Sequence, residues 1–388
     1  MNEHVAGFTS TGSKRPESLF GAPDAGLPLR MVRSSGYRVW DQDDREYTDY
    51  IMGLGSVALG YGHPEVTRAA VEAVANGVVG PLAPVLEEEV AAQICRLMPW
   101  VERMRFLKTG AEAMAAAVRL ARVATGRECV LGCGYHGWLD WCQSVDGVPR
   151  STRDLYAALP FNDVAESRKL IRAAGDALAA VLFEPVIVRE PDAEWLAVLR
   201  EETERVGALL VVDEIKTVCR LAVGGACERY GIRPDLVVMG KALANGFPLA
   251  AIGGQSDVMA AVSRTWISST LATEMVSLAA ARATLEVMVA KRVPEHLHRV
   301  GGRLLEGLAS LQRKHPAIVT GVGGIPEMCF LQYAAEDMPR AVAAECARAG
   351  LLFKPSAYNF VSLAHDHGVI DRTLQQLDEA LSAIGEPA

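Results

Sequence analysis

Three short runs of uninterrupted apolar residues, at 180–183, 209–212 and 236–239, each stop against a charged side chain: Glu184, Asp213 and, one glycine later, Lys241. A strand that is apolar on both sides of its pleat must be covered on both faces. A parallel sheet sandwiched between helices meets that condition. The intervening stretches 164–174 and 193–206 carry apolar residues on a three-to-four spacing, as amphipathic helices do. An α/β domain with a mostly parallel central sheet is therefore expected. Its functional groups should gather at the carboxyl ends of the strands, where the loops are free to vary and the sheet fixes their origins.

The same reading adds a strand at 129–131 and helices at 64–75, 86–97 and 112–124, with a long helix at 274–290. Beyond it the pattern changes to a helix at 294–314, a short β region around 318–332, and helices at 339–349 and 370–384. The expected organisation is an N-terminal segment 1–50 packed with the small domain, a large domain 51–285 and a smaller α+β domain 286–388. A chain of 388 residues with 50% hydrophobic and 22% charged residues can bury such cores. Its formal net charge of -8 argues against nucleic acid or an anionic membrane surface as partner. No apolar run reaches the roughly 18 residues of a membrane span, and residues 1–21 lack the apolar core of a secretory signal. The eight cysteines are scattered without CxxC spacing, which points to reduced thiols and a cytoplasmic location. Cys129, Cys133 and Cys142 lie near His136, but their spacing fits no zinc pattern, so no metal is expected.

A lysine and an aspartate at adjacent strand ends are the minimum equipment for holding pyridoxal phosphate. The Lys241 amine can form a Schiff base with its aldehyde, and Asp213 can keep the pyridine nitrogen protonated. Around them stand Thr109-Gly110-Ala111-Glu112, a helix start able to face a phosphate, and Tyr135-His136-Gly137, whose ring could stack on a flat heterocycle. Each has an ordinary reading too, as a helix cap and a packed turn.

In order along the chain, Thr-Gly-Ala-Glu-Ala at 109–113, Tyr-His-Gly at 135–137, Glu-Pro at 184–185, Asp-Glu-Ile at 213–215 with Arg220, and Gly-Lys-Ala-Leu-Ala-Asn-Gly-Phe-Pro at 240–248 resemble the class III pyridoxal-phosphate aminotransferases. Residues 37–50, 60–65 and 362–365 extend the likeness to the glutamate-1-semialdehyde 2,1-aminomutase-like branch. The resemblance implies fold type I and a homodimer with active sites shared between subunits. It implies that Lys241 is the Schiff-base lysine and proton shuttle, that Asp213 pairs with the pyridine nitrogen, and that Tyr135 and Ile215 cover the two ring faces. Thr109, Gly110 and Ala111 would line the phosphate site, Gly110 and Ala111 through their amides, and Thr270 would reach the phosphate of the neighbouring subunit. Glu214 and His136 would support these groups.

Departures from the family pattern bear on the substrate. Ala111 stands where the family usually places Ser or Thr, leaving the backbone to serve. No arginine occurs between Ala349 and Asp371, where acetylornithine-type and ω-amino-acid members use one to hold a substrate carboxylate. Ala357-Tyr358-Asn359 replaces a segment in which the aminomutase has an acidic residue, and residues 269–274 are similar to members acting on sugar and cyclitol carbonyls. Lys14 and Arg15 fall where the aminomutase branch has a substrate-facing loop. Lys14, Arg15, Glu274, Tyr358 and Asn359 are therefore the expected substrate contacts. The expected reaction is transfer of an amino group from an amino acid, glutamate above all, to a carbonyl of a small polyhydroxylated acceptor, as in amino sugar or antibiotic biosynthesis. The alternatives are an intramolecular 2,1-aminomutase and a catalytically silent relative that only binds the cofactor; the latter has no need of Lys241.

Overall fold

The computed structural model describes residues 4–21 and 26–385, so the ends of the expected segments 1–50 and 286–388, and residues 22–25, lie outside the described residues. The chain divides into two compact units, residues 64–294 and residues 1–63 with 295–388.

Among the described residues the larger unit is built on a seven-stranded sheet. Its strands are β1 (Arg103–Leu107), β2 (Cys129–Cys133), β3 (Tyr156–Ala158), β4 (Leu178–Phe183), β5 (Leu209–Asp213), β6 (Leu236–Met239) and β7 (Ala250–Gly254). They lie in the order β1-β7-β6-β5-β4-β2-β3. From β6 across to β3 every pairing is parallel; β7 runs antiparallel to both β6 and β1. In β5, Val211 joins a core with Met114, Ala117 and Leu120 of the helix Gly110–Thr125. Leu210 and Val212 join the opposite core, with Ile171 of Val164–Ala174 and Trp195 and Leu199 of Ala193–Val206. That two-sided covering explains why the strand is continuously apolar: each such residue fully buried contributes about 1.5–3 kcal/mol. The pleat repeats every two residues, so Asp213 falls on the same face as Val211, toward the start of Gly110–Thr125.

β1, β3 and β7 were not anticipated. β1 reads Arg-Met-Arg-Phe-Leu and β7 Ala-Ala-Ile-Gly-Gly, compositions without the β-branched runs of the central strands, and their pairing comes from neighbours distant in sequence.

The second unit holds a four-stranded sheet of Met31–Ser35, Arg38–Asp41, Glu46–Asp49 and Leu351–Leu352, and a three-stranded one of Val319–Ile325, Met328–Tyr333 and Asn359–Phe360. The helices Met338–Arg348 and His367–Ile384 belong to this unit. Tyr50 is fully buried in it, its hydroxyl 2.9 Å from Thr373 Oγ1 and its ring 4.6 Å from that of His365. Among the described residues no helix is long and apolar enough to cross a membrane.

Candidate active site

Four segments of the larger unit converge at the carboxyl ends of its parallel strands. Asp213 closes β5 and is buried. One carboxylate oxygen accepts the Ile215 amide at 3.1 Å, and the other lies 2.9 Å from Nδ1 of fully enclosed His136. A carboxylate only accepts, so Nδ1 carries the proton in this pair. His136 stacks on Trp141, and its Nε2 is buried without a hydrogen-bond partner. Asp213 is thus held in one orientation from both sides.

Lys241 follows β6 as the first residue of the short helix Lys241–Ala244, at φ +46°. A left-handed conformation costs a non-glycine residue about 1–2 kcal/mol and persists only where the surroundings enforce it. Part of the side chain reaches solvent, but its amine is enclosed, and burial pulls its pKa from the ordinary 10.5 down to about 8. The positive charges of Lys216 and Arg220 push in the same direction, whereas Glu184 and Asp213 oppose it.

The helix Gly110–Thr125 opens with a capping box. Thr109 Oγ1 accepts the Glu112 amide at 3.2 Å, and the Glu112 carboxylate accepts the Thr109 amide at 2.8 Å. The box occupies Thr109, so its hydroxyl serves the cap, and it leaves the amides of Gly110 and Ala111 to face an anion at the positive end of the helix dipole. A Cβ at Gly110 would meet Ile215 Cδ1 at 2.6 Å, and one at Gly137 would meet Ala111 Cβ at 2.7 Å. Glycine at these two places lets the Ile215 side chain and the Tyr135-His136-Gly137 turn close onto the helix start. Tyr135 itself is 67% exposed, and its amide donates to Glu184 Oε2 at 3.1 Å.

Other expected site residues have different surroundings. Glu214 is buried as a knot of the backbone beyond β5, accepting the amides of Ala226 at 2.9 Å and Cys227 at 2.6 Å and the Thr217 hydroxyl; burial raises its pKa. Glu274 is the N-cap of the helix Met275–Ala290: it accepts the amides of Val276 at 2.8 Å and Ser277 at 3.0 Å and pairs with Lys108 at 2.5 Å. Thr270 is exposed, close in sequence to that cap. In the other unit Asn359 is buried, its amide oxygen taken by the Lys354 N–H at 2.6 Å and its amide nitrogen given to the Lys354 carbonyl at 3.1 Å. Tyr358 packs edge-on against Phe330, with ring centres 5.6 Å apart. Lys14 and Arg15 are exposed. The polar atoms of Glu274 and Asn359 thus have partners in the protein's own backbone and side chains. Neither use was visible in sequence, because both partners come from folding. Sequence reasoning also missed Lys216, whose amine lies 3.0 Å from Glu184 Oε1. The available signal was a lysine three residues past Asp213 at the end of an apolar strand. Among the described residues no cluster of three or more His, Cys, Asp or Glu is placed to hold a metal ion.

The family model described as aminotransferase class-III matches residues 20–384. The chain belongs to the class III aminotransferases. This class III chain is 33% identical over 414 residues to the glutamate-1-semialdehyde 2,1-aminomutase of Neisseria gonorrhoeae, covering 96% of each protein. It is also 33% identical to the enzyme of that name from an Anaeromyxobacter species, covering 92% of this chain and 91% of the relative. Its fold is similar to that of the FumI protein of Sphingopyxis sp. MTA144, solved as its pyridoxal phosphate internal aldimine, with a TM-score of 0.89, 28% identity, and 93% and 90% of the two chains covered. The β-phenylalanine aminotransferase of Variovorax paradoxus gives a TM-score of 0.84 at 28% identity, over 98% of this chain and 92% of that one. The fold is that of the fold type I enzymes, and pyridoxal phosphate is the cofactor. The residues present fit that group: an enclosed amine of low proton affinity, a buried carboxylate braced by His136, and a glycine-opened helix start.

Proposed function

We propose that this class III enzyme is a transaminase that takes its amino group from an amino acid such as glutamate and delivers it to a carbonyl of a small polyhydroxylated molecule, a sugar, cyclitol or aminoglycoside precursor. The observation that carries the transaminase reading is the enclosed Lys241 amine, with a pKa near 8, flanked by the His136-braced Asp213. When bound, pyridoxal phosphate supplies an aldehyde and an electron-accepting ring. In this reading Lys241 Nζ would anchor the cofactor and, when free, would serve as a base near neutral pH. Asp213 would face the ring nitrogen, with His136 keeping Asp213 in place, and Tyr135 and Ile215 would cover the ring. The amides of Gly110 and Ala111 would hold the phosphate.

The polyhydroxylated acceptor is supported by the missing arginine between Ala349 and Asp371, which removes the family's usual carboxylate anchor. Lys14, Arg15, Glu274, Tyr358 and Asn359 are the proposed substrate contacts. We place the enzyme in the cytoplasm as a homodimer. Thr270 is exposed, as a residue reaching into a second subunit must be, and Val71, Val74, Leu82, Val85, Trp266 and Leu271 of the same unit present apolar surface to solvent.

The second reading, an intramolecular 2,1-aminomutase, is favoured by the names of the curated relatives at 33% identity. Incubation with 15N-glutamate and a panel of keto-sugars and keto-cyclitols, with glutamate-1-semialdehyde in parallel, separates the two. Label in an aminated sugar or cyclitol is the expected outcome. Label absent from every product, with glutamate-1-semialdehyde converted to 5-aminolevulinate, would overturn the transaminase in favour of the mutase.

A further inference from the structure

The smaller unit contains a cavity of about 430 Å³, within the roughly 300–1,000 Å³ of small-molecule sites. Its walls come from the N-terminal segment, from the strands Met31–Ser35, Arg38–Asp41 and Glu46–Asp49, and from Leu352, so the whole cavity lies in one unit. Apolar side chains make most of the lining, Phe8, Phe20, Leu29 and Ile51 among them. Phe8 stands at φ +71°, a left-handed conformation that a non-glycine residue keeps only where its surroundings enforce it. Arg30 supplies that enforcement: its guanidinium lies 4.1 Å from the centre of the Phe8 ring and donates to the Phe8 carbonyl at 3.4 Å.

The charged groups of the lining sort by sign. Asp41 and Asp49 are each 2% exposed and already engaged. Asp41 accepts the amides of Asp43 at 2.9 Å and Arg45 at 3.0 Å and the Tyr47 hydroxyl at 2.9 Å. Asp49 accepts the amides of Ile51 at 2.7 Å and Met52 at 3.0 Å and the Tyr61 hydroxyl at 2.7 Å. Lys14 and Arg30, by contrast, are exposed, and among the described residues no hydrogen bond or ion pair engages the Lys14 ammonium. The charge left for a ligand is therefore positive and stands beside apolar walls. We propose that this cavity binds an amphipathic anion, an apolar chain or ring ending in a carboxylate. The apolar body would leave water for Phe8, Phe20 and Leu29. The head would stay on the exposed side with Lys14 and Arg30, which avoids the cost of burying a lone charge. A neutral polyol would gain little, because its hydroxyls would exchange water for apolar walls and for carboxylates already taken. The inference goes beyond amine transfer, and Lys14 is the one residue it shares with the substrate contacts proposed there.

The test is calorimetric titration of decanoate into the pyridoxal-phosphate-loaded enzyme, with decyltrimethylammonium and a keto-cyclitol in parallel. Decanoate is expected to bind with a Kd of about 1 mM or below, and the other two about tenfold more weakly or worse. Lys14→Glu reverses the free charge and is expected to weaken decanoate about tenfold or more, whereas Lys14→Arg retains it. Leu29→Asp places a carboxylate in the apolar wall and should weaken decanoate by about as much. No binding of decanoate would overturn the proposal, and dissociation of Leu29→Asp in sedimentation velocity would then assign the surface to a second copy of the chain. Equal binding of decanoate and decyltrimethylammonium would overturn it as well, as would decanoate binding left unchanged by Lys14→Glu or by Leu29→Asp. Tighter binding of the keto-cyclitol than of decanoate, lost in Lys14→Glu, would give the cavity to the acceptor and sink the proposal too. Should Leu29→Asp fail to fold, Lys14→Glu decides alone, since that side chain is exposed.

Discussion

The enclosed Lys241 amine makes a prediction about stability that is independent of turnover. Its pKa falls from 10.5 in an unfolded chain to about 8 in the folded one, chiefly through burial. Between those pH values the unfolded chain binds the additional proton, so stability should rise with pH across that window, and below about pH 8 the full penalty is present. At about 1.4 kcal/mol per pH unit, the difference corresponds to roughly 3 kcal/mol. Part of the side chain reaches solvent, so about 1–2 kcal/mol is the expected effect after screening. Lys241→Met keeps the volume and removes the charge. Asp213 and Glu184 retain His136 and Lys216 as partners, so the substitution strands neither carboxylate. In urea titrations of cofactor-free protein at pH 7, Lys241→Met should therefore be more stable than wild type by about 1–2 kcal/mol, with the advantage shrinking toward pH 10. A variant less stable than wild type at pH 7, or one whose difference does not change with pH, would refute the reasoning.

Three further outcomes follow from the same geometry. Asp213→Asn removes the charge proposed to face the ring nitrogen and should lower kcat/KM by about a hundredfold or more, measured by steady-state amine transfer. Gly110→Val drives a side chain into Ile215 and should destabilise the protein by about 1–3 kcal/mol while weakening pyridoxal phosphate binding, read by urea unfolding and cofactor titration. Glu274→Ala loses the cap of Met275–Ala290 and the Lys108 pair, and should cost about 1–2 kcal/mol in unfolding; an unchanged stability would refute the capping role.

The central sheet was legible because two-sided burial writes itself into sequence as unbroken apolar runs, and because Glu184, Asp213 and Lys241 mark where those runs emerge from the core. β1 and β7 left no such trace: antiparallel pairing at the sheet margin tolerates arginine, alanine and glycine. At the site, Asp213 and Lys241 could be read from position, whereas the partner of each polar group could not. Glu274 and Asn359 looked like free polar residues near a substrate, but Lys108 and the Lys354 backbone, which engage them, arrive only on folding. Lys216 was overlooked for the converse reason. A lysine just past a strand reads as solvated, and its burial depends on Glu184, which lies 32 residues earlier on the neighbouring strand's exit.

The most direct test is covalent. Reduction of the purified, cofactor-loaded protein with borohydride fixes pyridoxal phosphate to whichever amine holds it, and peptide mass mapping identifies the residue. The phosphopyridoxyl group is expected on Lys241 alone. Its recovery on Lys216, or on any other lysine with Lys241 unmodified, would contradict the assignment on which the site and its chemistry rest.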